Sequence, residues 1–347
     1  MPFIKAIEQF NSLSVVGMAK NTGKTTCLNY IIRRLQGEGR KIALTSIGVD
    51  GEERDVLYDT PKPRIMLHQG MVFVTSEKDF EQRSFPARRL SVSERATPLG
   101  RLITAEAQGS GIMVLSGPSD SAWLQEVIAT MPAYGVALTL VDGALSRMSL
   151  ASPAVTDAMI LCTGAACSAQ QSELIRRTKF RCSLIDLPRV SSSLYDLLFP
   201  LDRGVWLLTE QQEVIKIADT VFTPQDGIRQ LLPECHSVYV AGALTDDFLR
   251  MLATLPQNGI RLIVRDFSKL FFSILTYERF VRRGGSIEVL QKPKLLAVCT
   301  NPVSPEGIRL DPLVLKEQMQ EALQLPVYDI MMIDLNNDMK LLENGSG

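Results

Sequence analysis

Histidine and paired cysteines are the chemical groups that this sequence mostly lacks. Its 347 residues include two histidines, His68 and His236, and none of the six cysteines belongs to a Cys-x-x-Cys pair. Zinc and iron–sulfur sites generally use such pairs or neighbouring histidines. The sequence therefore argues against either kind of metal centre and against a metallochaperone. The cysteines are expected to be reduced, buried thiols.

Long apolar runs and a strong net charge are also missing. The formal net charge is −1, with 46% hydrophobic and 22% charged residues, which is an ordinary globular balance. No apolar run is long enough to cross a bilayer, and the first residues read as an amphipathic segment rather than a secretory signal. We expect a cytoplasmic protein without a nucleic-acid or membrane partner.

The most informative stretch is SLSVVGMAKNTGKTTCLNY, residues 12–30. Apolar residues at 13–16 predict a short buried strand, and residues 17–23 form a polar turn bounded by two glycines. From Lys24 onward, apolar side chains recur at helical spacing. Strand, glycine-rich turn, Gly-Lys-Thr and helix are the parts of a phosphate-binding loop. The alternative is a chance Gly-Lys-Thr at a strand–helix turn.

In such a loop each residue type has a defined task. Lys24 would reach the β- and γ-phosphates of a nucleotide, and the Thr25 hydroxyl would bind Mg²⁺. The residues expected to line the nucleotide site are Gly17, Lys20, Asn21, Thr22, Gly23, Lys24, Thr25 and Thr26.

The spacing of the loop is unusual. The common pattern has four residues between the two glycines, whereas here five intervene, Met18 to Thr22. The loop resembles those of dethiobiotin synthetase and of the cobyrinic and cobyric acid amide-forming enzymes, which use the longer spacing.

Two acidic positions are candidates for catalysis and metal binding. Asp50, with Glu52 and Asp55 behind it, follows the second apolar strand, where an acidic group often faces the γ-phosphate. Asp142 ends another apolar strand in Asp-Gly-Ala, where the dethiobiotin-type enzymes have Glu-Gly-Ala. Lys24, Asp50 and Asp142 are the predicted catalytic residues, and Thr25, Asp50 and Asp142 the predicted Mg²⁺ ligands. A solvated acidic turn and a plain strand-end turn remain the alternatives.

The rest of the chain alternates apolar strands and helical patterns, which predicts an α/β fold. We expect a P-loop NTPase-like, mostly parallel sheet with β-hairpins at residues 65–75 and 102–116, and a helix over 211–218. Asn301 follows a late strand and is a candidate reader of a purine edge, or part of a rigid turn. A change of composition near 180–204 indicates a boundary. The predicted parts are a nucleotide-binding domain (1–180), a second, smaller α/β domain (181–342) and a tail (343–347).

Three stretches together resemble a narrower family. GMAKNTGKTTCLNY, LTSIGVDGEERD followed by TPKPRI, and VDGALSRMSLASP are similar to the ATP-binding subunit of lysine 5,6-aminomutase reactivase. The resemblance covers most of residues 12–170. It implies ATP and Mg²⁺ as ligands, a larger reactivase subunit as partner, and an adenosylcobalamin-dependent aminomutase as client; a homodimer is left open. The implied activity is partner-dependent ATP hydrolysis that releases damaged cobalamin.

Other functions stay open at this point. One is an ATP-dependent biosynthetic ligase of the dethiobiotin or cobyrinic amide type, although no separate cysteine–histidine glutaminase site is visible. Another is a nucleotide-binding regulatory subunit with little turnover. The absence of an Asn-Lys-x-Asp signature favours ATP over GTP.

Overall fold

The computed structural model describes residues 2–36, 39–47, 65–144, 153–209, 211, 213–222, 237–256 and 259–333. The strands in this part of the chain are β1 (Ser12–Gly17), β2 (Ile42–Ser46), β3 (Ile65–Leu67), β4 (Val72–Ser76), β5 (Ala87–Thr97), β6 (Gly100–Ala107), β7 (Gly111–Met113), β8 (Leu138–Ala144), β9 (Ala158–Gly164), β10 (Val205–Leu208), β11 (Val214–Ala218), β12 (Ser237–Val240), β13 (Leu244–Thr245), β14 (Arg261–Val264), β15 (Leu270–Phe271), β16 (Ser286–Val289), β17 (Lys294–Asn301) and β18 (Val327–Asp329).

The helices alternate with these strands. They are α1 (Pro2–Ile7), α2 (Lys24–Gln36), α3 (Glu77–Glu81), α4 (Ser121–Thr130), α5 (Gln171–Ile185), α6 (Ser192–Leu198), α7 (Asp246–Leu252), α8 (Ile274–Arg282) and α9 (Pro312–Leu323), with 3₁₀ turns at Met131–Tyr134, Pro153–Val155 and Phe267–Lys269. None of the helices listed here has the length and apolar character needed to cross a membrane.

The main feature is a nine-stranded sheet in the order β18-β17-β9-β1-β8-β2-β4-β6-β5. Every pairing from β18 to β4 is parallel, and the last two pairings, β4–β6 and β6–β5, are antiparallel. Two further sheets have two strands each, β3–β7 and β13–β15. The predicted mixed α/β fold, with a mostly parallel sheet and an antiparallel addition at one edge, is confirmed in this general form.

Burial explains why the central strands form where they do. Every residue of β1, β2 and β9 is buried, as expected for parallel strands covered on both faces. Helix α2 places the apolar side chains of Leu28, Ile31, Ile32 and Leu35 in the same core cluster as Leu13 and Val15 of β1. The apolar spacing in the sequence is therefore the core-facing stripe of this helix.

The two predicted hairpins, at residues 65–75 and 102–116, are wrong, because their strands pair with other strands. The turn at 68–71 exists, since the Met71 amide donates to the His68 carbonyl at 3.1 Å. Its two flanking strands separate, however, because β3 pairs with β7 while β4 joins β2 and β6 in the large sheet. In this region the structure instead forms the hairpin β5–β6. Strand β5 is an edge strand with mostly polar, exposed side chains, so it has little hydrophobic pattern to predict it.

The predicted helix over 211–218 is also wrong. Residues 214–218 form β11, which pairs antiparallel with β10 at the edge of a five-stranded sheet, β11-β10-β12-β14-β16. The segment contains Val214, Ile215 and Ile217, and β-branched side chains favour a strand once a partner is present. Pairing with β10 therefore decides the structure of this segment, although its apolar residues also fit helical spacing.

The chain divides into two compact units, Met1–Lys179 with Pro293–Gly347, and Phe180–Lys292. The second domain predicted for 181–342 therefore ends too late. Strand β17 pairs with β9, and β18 pairs with β17, so both belong to the large sheet. The second unit is built on the five-stranded sheet, with a core that includes Leu198, Tyr239 and Ile263.

Gly117 supplies a test of this packing. A β-carbon at position 117 would lie 1.6 Å from the carbonyl oxygen of Ser46, the last residue of β2. Gly117→Ala should therefore lower the free energy of unfolding by about 3 kcal/mol, the upper end of the usual cost of overpacking. Urea unfolding measures this change.

Gly242→Ala is the matched control, because a β-carbon there meets nothing within 4 Å. Its free energy of unfolding should change by less than about 0.5 kcal/mol. Equal stability of the two variants would contradict the close approach of residue 117 to β2.

Candidate functional site

The candidate site begins with the loop that joins β1 to α2, residues 17–23, called here the Gly17–Gly23 loop. It is anchored at both ends by backbone hydrogen bonds: the Met18 amide donates to the Cys162 carbonyl and the Cys27 amide to the Gly23 carbonyl, each at 2.9 Å. The hydroxyl of Thr22 donates to the Ala19 carbonyl at 3.0 Å. The loop is thus a closed turn tied to β9 on one side and to α2 on the other.

The glycines of the loop occupy positions that other residues would strain. A β-carbon on Gly17 would lie 2.8 Å from the Thr22 hydroxyl oxygen and 3.1 Å from the Ala19 carbonyl oxygen, because the loop folds back over β1. Gly23 has a φ of +81°, in the left-handed region that glycine adopts without cost. Asn21 also has a positive φ, +61°, and asparagine tolerates this region better than most residues.

Helix α2 starts directly at Lys24. The first amide groups of a helix have no carbonyl partners within the helix, and the aligned peptide dipoles make this end positive. The half-buried Thr25 and the exposed Thr26 occupy this first turn. This end of the helix, together with the loop, forms a setting suited to an anion.

Asp142 faces this helix start from the neighbouring strand. Strand β8 is paired with β1 on one side and β2 on the other, with Asp142 in register with Val15 and Ser46. The Ile47 amide donates to the backbone carbonyl of Asp142 at 2.9 Å, which fixes the strand end.

Lys24 Nζ and Asp142 Oδ1 lie 2.9 Å apart, and the two side chains are only 19% and 17% exposed. Water therefore screens this ion pair less than it would a surface pair. The pairing neutralises two charges that would be costly to leave apart at such a depth.

Asn301 reaches the loop from the other side of β1. It is the last residue of β17, and its side-chain nitrogen donates to the Asn21 carbonyl at 2.9 Å. Its side-chain oxygen accepts from the Val303 amide at 3.2 Å. One acceptor and one donor of the protein thus determine which way the amide points.

Three thiols, the thiol cluster of Cys27, Cys162 and Cys299, lie beneath the loop. Cys162 and Cys299 are in register on neighbouring strands, and the sulfur atoms of Cys27 and Cys299 are 3.5 Å apart. Hydrogen bonds with Cys27 and Cys299, and the charge of Lys24, lower the pKa of the Cys162 thiol against the opposing effect of burial. The contact with Cys162 raises the pKa of Cys27 and Cys299.

The cysteines of the described residues are free thiols, and Cys27, Cys162, Cys182 and Cys299 are buried. For these four the predicted burial is confirmed. Cys167 is half-buried. Within the described ranges no cluster of histidine, cysteine and carboxylate side chains is arranged to hold a metal ion.

The predicted site residues that the structure describes lie together at one edge of the large sheet. The nucleotide-lining residues predicted at 17 and 20–26 lie on the loop and the first turn of α2, and Asp142 and Asn301 contact them from the two sides. Asp50 lies outside the described residues. Sequence reasoning missed the contribution of Cys162, whose carbonyl anchors the start of the loop. No local signal marks it, because the contact joins residues far apart in the chain.

The chemistry available at this edge follows from its charges. A positive helix end, a lysine and a closed turn can hold a polyphosphate, and a carboxylate next to the lysine can hold a cation that accompanies it. Comparisons of the chain with protein-family models, with curated proteins and with solved structures find no match.

Proposed function

We propose that the Gly17–Gly23 loop is a phosphate-binding loop of the P-loop NTPase type, and that the chain binds and hydrolyses ATP with Mg²⁺. The observation that carries this proposal is the 2.9 Å ion pair between Lys24, at the first residue of α2, and Asp142, at the end of β8. The pair brings together a cation able to bind phosphate and an anion able to bind a metal ion, next to a glycine-bounded turn.

The residues fit a magnesium ion in their chemistry. Mg²⁺ prefers hard oxygen ligands and keeps several of its waters. The Thr25 hydroxyl and the Asp142 carboxylate, the latter directly or through water, would hold it, and Asp50 remains a candidate third ligand. When bound, the ion would neutralise charge on the phosphates.

The ion pair also suggests how the site changes on loading. Lys24 would exchange Asp142 for the β- and γ-phosphates, so its charge stays compensated and Asp142 becomes free to receive a cation. Such an exchange of partners avoids leaving either charge alone in a shielded position. Asp142 would then be free to bind a cation only when nucleotide is present.

The wider proposal is that the chain is the ATP-binding subunit of a reactivase for an adenosylcobalamin-dependent aminomutase. It would act in the cytoplasm with a larger companion subunit, opening the inactivated mutase so that damaged cobalamin leaves. The resemblance of the three sequence stretches, two of them centred on the loop and on Asp142, supports it. Nucleotide can do this work only if it binds two conformations of the protein with different affinity.

The loop spacing favours one other candidate. Five residues between the glycines is also the spacing of the dethiobiotin and cobyrinic amide enzymes, in which ATP phosphorylates a carboxylate or carbamate. The two proposals differ in whether the chain needs a protein partner or a small carboxylate substrate.

Lys24→Ala tests the phosphate site. Loss of a charge-assisted contact should weaken Mg²⁺–ATP binding by about 1.5–3 kcal/mol, or roughly tenfold to more than a hundredfold. Isothermal titration calorimetry measures the affinity. Lys41→Ala is the control, since Lys41 pairs with Glu106 instead, and its affinity should not change. Equal affinity of Lys24→Ala and wild type would remove the basis of the assignment.

Asp142→Asn tests the metal site. The amide keeps the shape of the side chain but loses the negative charge, so hydrolysis at saturating Mg²⁺ should fall more than nucleotide binding does. Phosphate release and calorimetry give the two quantities, for the chain alone and with its companion. Hydrolysis equal to that of the wild type would exclude the role of Asp142.

The reactivation proposal has its own assay. Aminomutase inactivated by turnover should recover activity when ATP, Mg²⁺, fresh adenosylcobalamin, this chain and its companion are added, and should not recover with Lys24→Ala in place of the wild type. Equal recovery without this chain would refute the proposal. ATP turnover by the isolated chain with a biotin or corrinoid precursor would establish the biosynthetic alternative instead.

A further inference from the structure

The longer spacing of the Gly17–Gly23 loop raises the question of how its shape is held. An additional residue must be accommodated without spoiling the concave arrangement of the backbone, and within this loop Asn21 adopts a left-handed φ of +61°. Left-handed backbone is uncommon for a residue with a β-carbon and persists where the surroundings hold it. Contacts from outside the loop can therefore stabilise residue 21 in this conformation.

Asn301 supplies that support. Its side-chain nitrogen donates to the Asn21 carbonyl at 2.9 Å, across 280 residues of sequence. A β-carbon on Gly23 would lie 3.2 Å from the Asn301 β-carbon, so the last glycine of the loop packs directly on this side chain. One side chain thus contacts both of the left-handed residues of the loop.

Asn301 is itself held in place from two directions. Its backbone carbonyl accepts from the Ala165 amide at 2.9 Å, and a β-carbon on Gly164 would lie only 2.1 Å from that carbonyl oxygen. The Val303 amide donates to its side-chain oxygen at 3.2 Å. The strand end and the amide group therefore have little freedom to turn elsewhere.

We infer that Asn301 is a positioning residue, which holds the Gly17–Gly23 loop in its phosphate-binding shape through the carbonyl of Asn21. This inference rests on the proposed function and deepens it. The side-chain nitrogen and oxygen each bind a backbone group of the protein, which gives the residue a role at the loop that needs no contact with a base. Its effect should fall on the phosphate chain of the ligand and be independent of the base.

The position of Asn301 late in the chain makes assembly of the site depend on a late strand. It belongs to β17, the strand with which the chain returns to the large sheet after the unit Phe180–Lys292. The loop near the start of the chain thus gains this hydrogen bond only when β17 has paired with β9.

The test compares two ligands, ATP and inorganic tripolyphosphate, each with Mg²⁺, by calorimetry on the full chain. Asn301→Ala should weaken both ligands by the same factor, about three- to tenfold, the usual value of one hydrogen bond. Asn301→Asp, which keeps the shape and the acceptor for Val303 but loses the donor, should weaken both at least as much.

Thr300→Ala is the matched control. Thr300 is the buried neighbour on the same strand, and its hydroxyl donates to the Tyr328 carbonyl at 3.4 Å, away from the loop. This variant should lower the thermal midpoint as Asn301→Ala does while leaving tripolyphosphate affinity unchanged. Equal weakening by Thr300→Ala would mean a general structural effect and would overturn the inference.

The remaining outcomes are also decisive. Weaker ATP binding with unchanged tripolyphosphate binding in both Asn301 variants would assign the residue to the base and overturn the inference. Unchanged affinity for both ligands would overturn it while the proposed function stands. A wild-type chain that binds neither ligand would overturn the proposed function itself, and the inference with it.

Discussion

The burial of β1 between β8 and β9 is the constraint on which the rest of the site depends. Hydrogen-bonded on both edges and covered on both faces, this strand has a strongly specified register with each neighbour. Because the three strands are parallel, their carboxyl ends lie at the same edge of the sheet. The start of the loop, the carbonyl of Cys162 and the carboxylate of Asp142 are brought together there by packing alone. Open α/β sheets bind their ligands at this edge.

The charges at this edge are balanced within the protein. Lys24 and Asp142 neutralise each other in a shielded position, so the fold does not need a ligand to compensate the lysine. Under the proposed function, a polyphosphate would compete with the carboxylate for that lysine, and a cation would compete with the lysine for the carboxylate. Each ligand would release the group that the other binds, so the proposed function implies that Mg²⁺ and nucleotide bind more favourably together than either does alone.

The large sheet is discontinuous in sequence, and this shapes the site as much as its charges do. The chain leaves after Lys179 and returns at Pro293, and the returning strand β17 places Asn301 against the loop. The same strand carries Cys299 into the apolar layer below, next to Cys27 of α2. The loop is thus supported by segments that come before and after the whole second unit in the sequence.

The sequence by itself determined the strand, turn and helix of residues 12–36, because glycine positions and apolar spacing act over neighbouring residues. It also indicated the general α/β alternation and singled out Asp142, which the structure places 2.9 Å from Lys24. Tertiary structure decided which strands pair: β3 with β7, β5 with β6 and β11 with β10. It also decided that β17 returns to the first sheet and that Asn301 binds the carbonyl of Asn21. The physical reason is that alternating apolar and polar residues indicate a strand but do not identify the strand that pairs with it. Packing between distant parts of the chain decides that pairing.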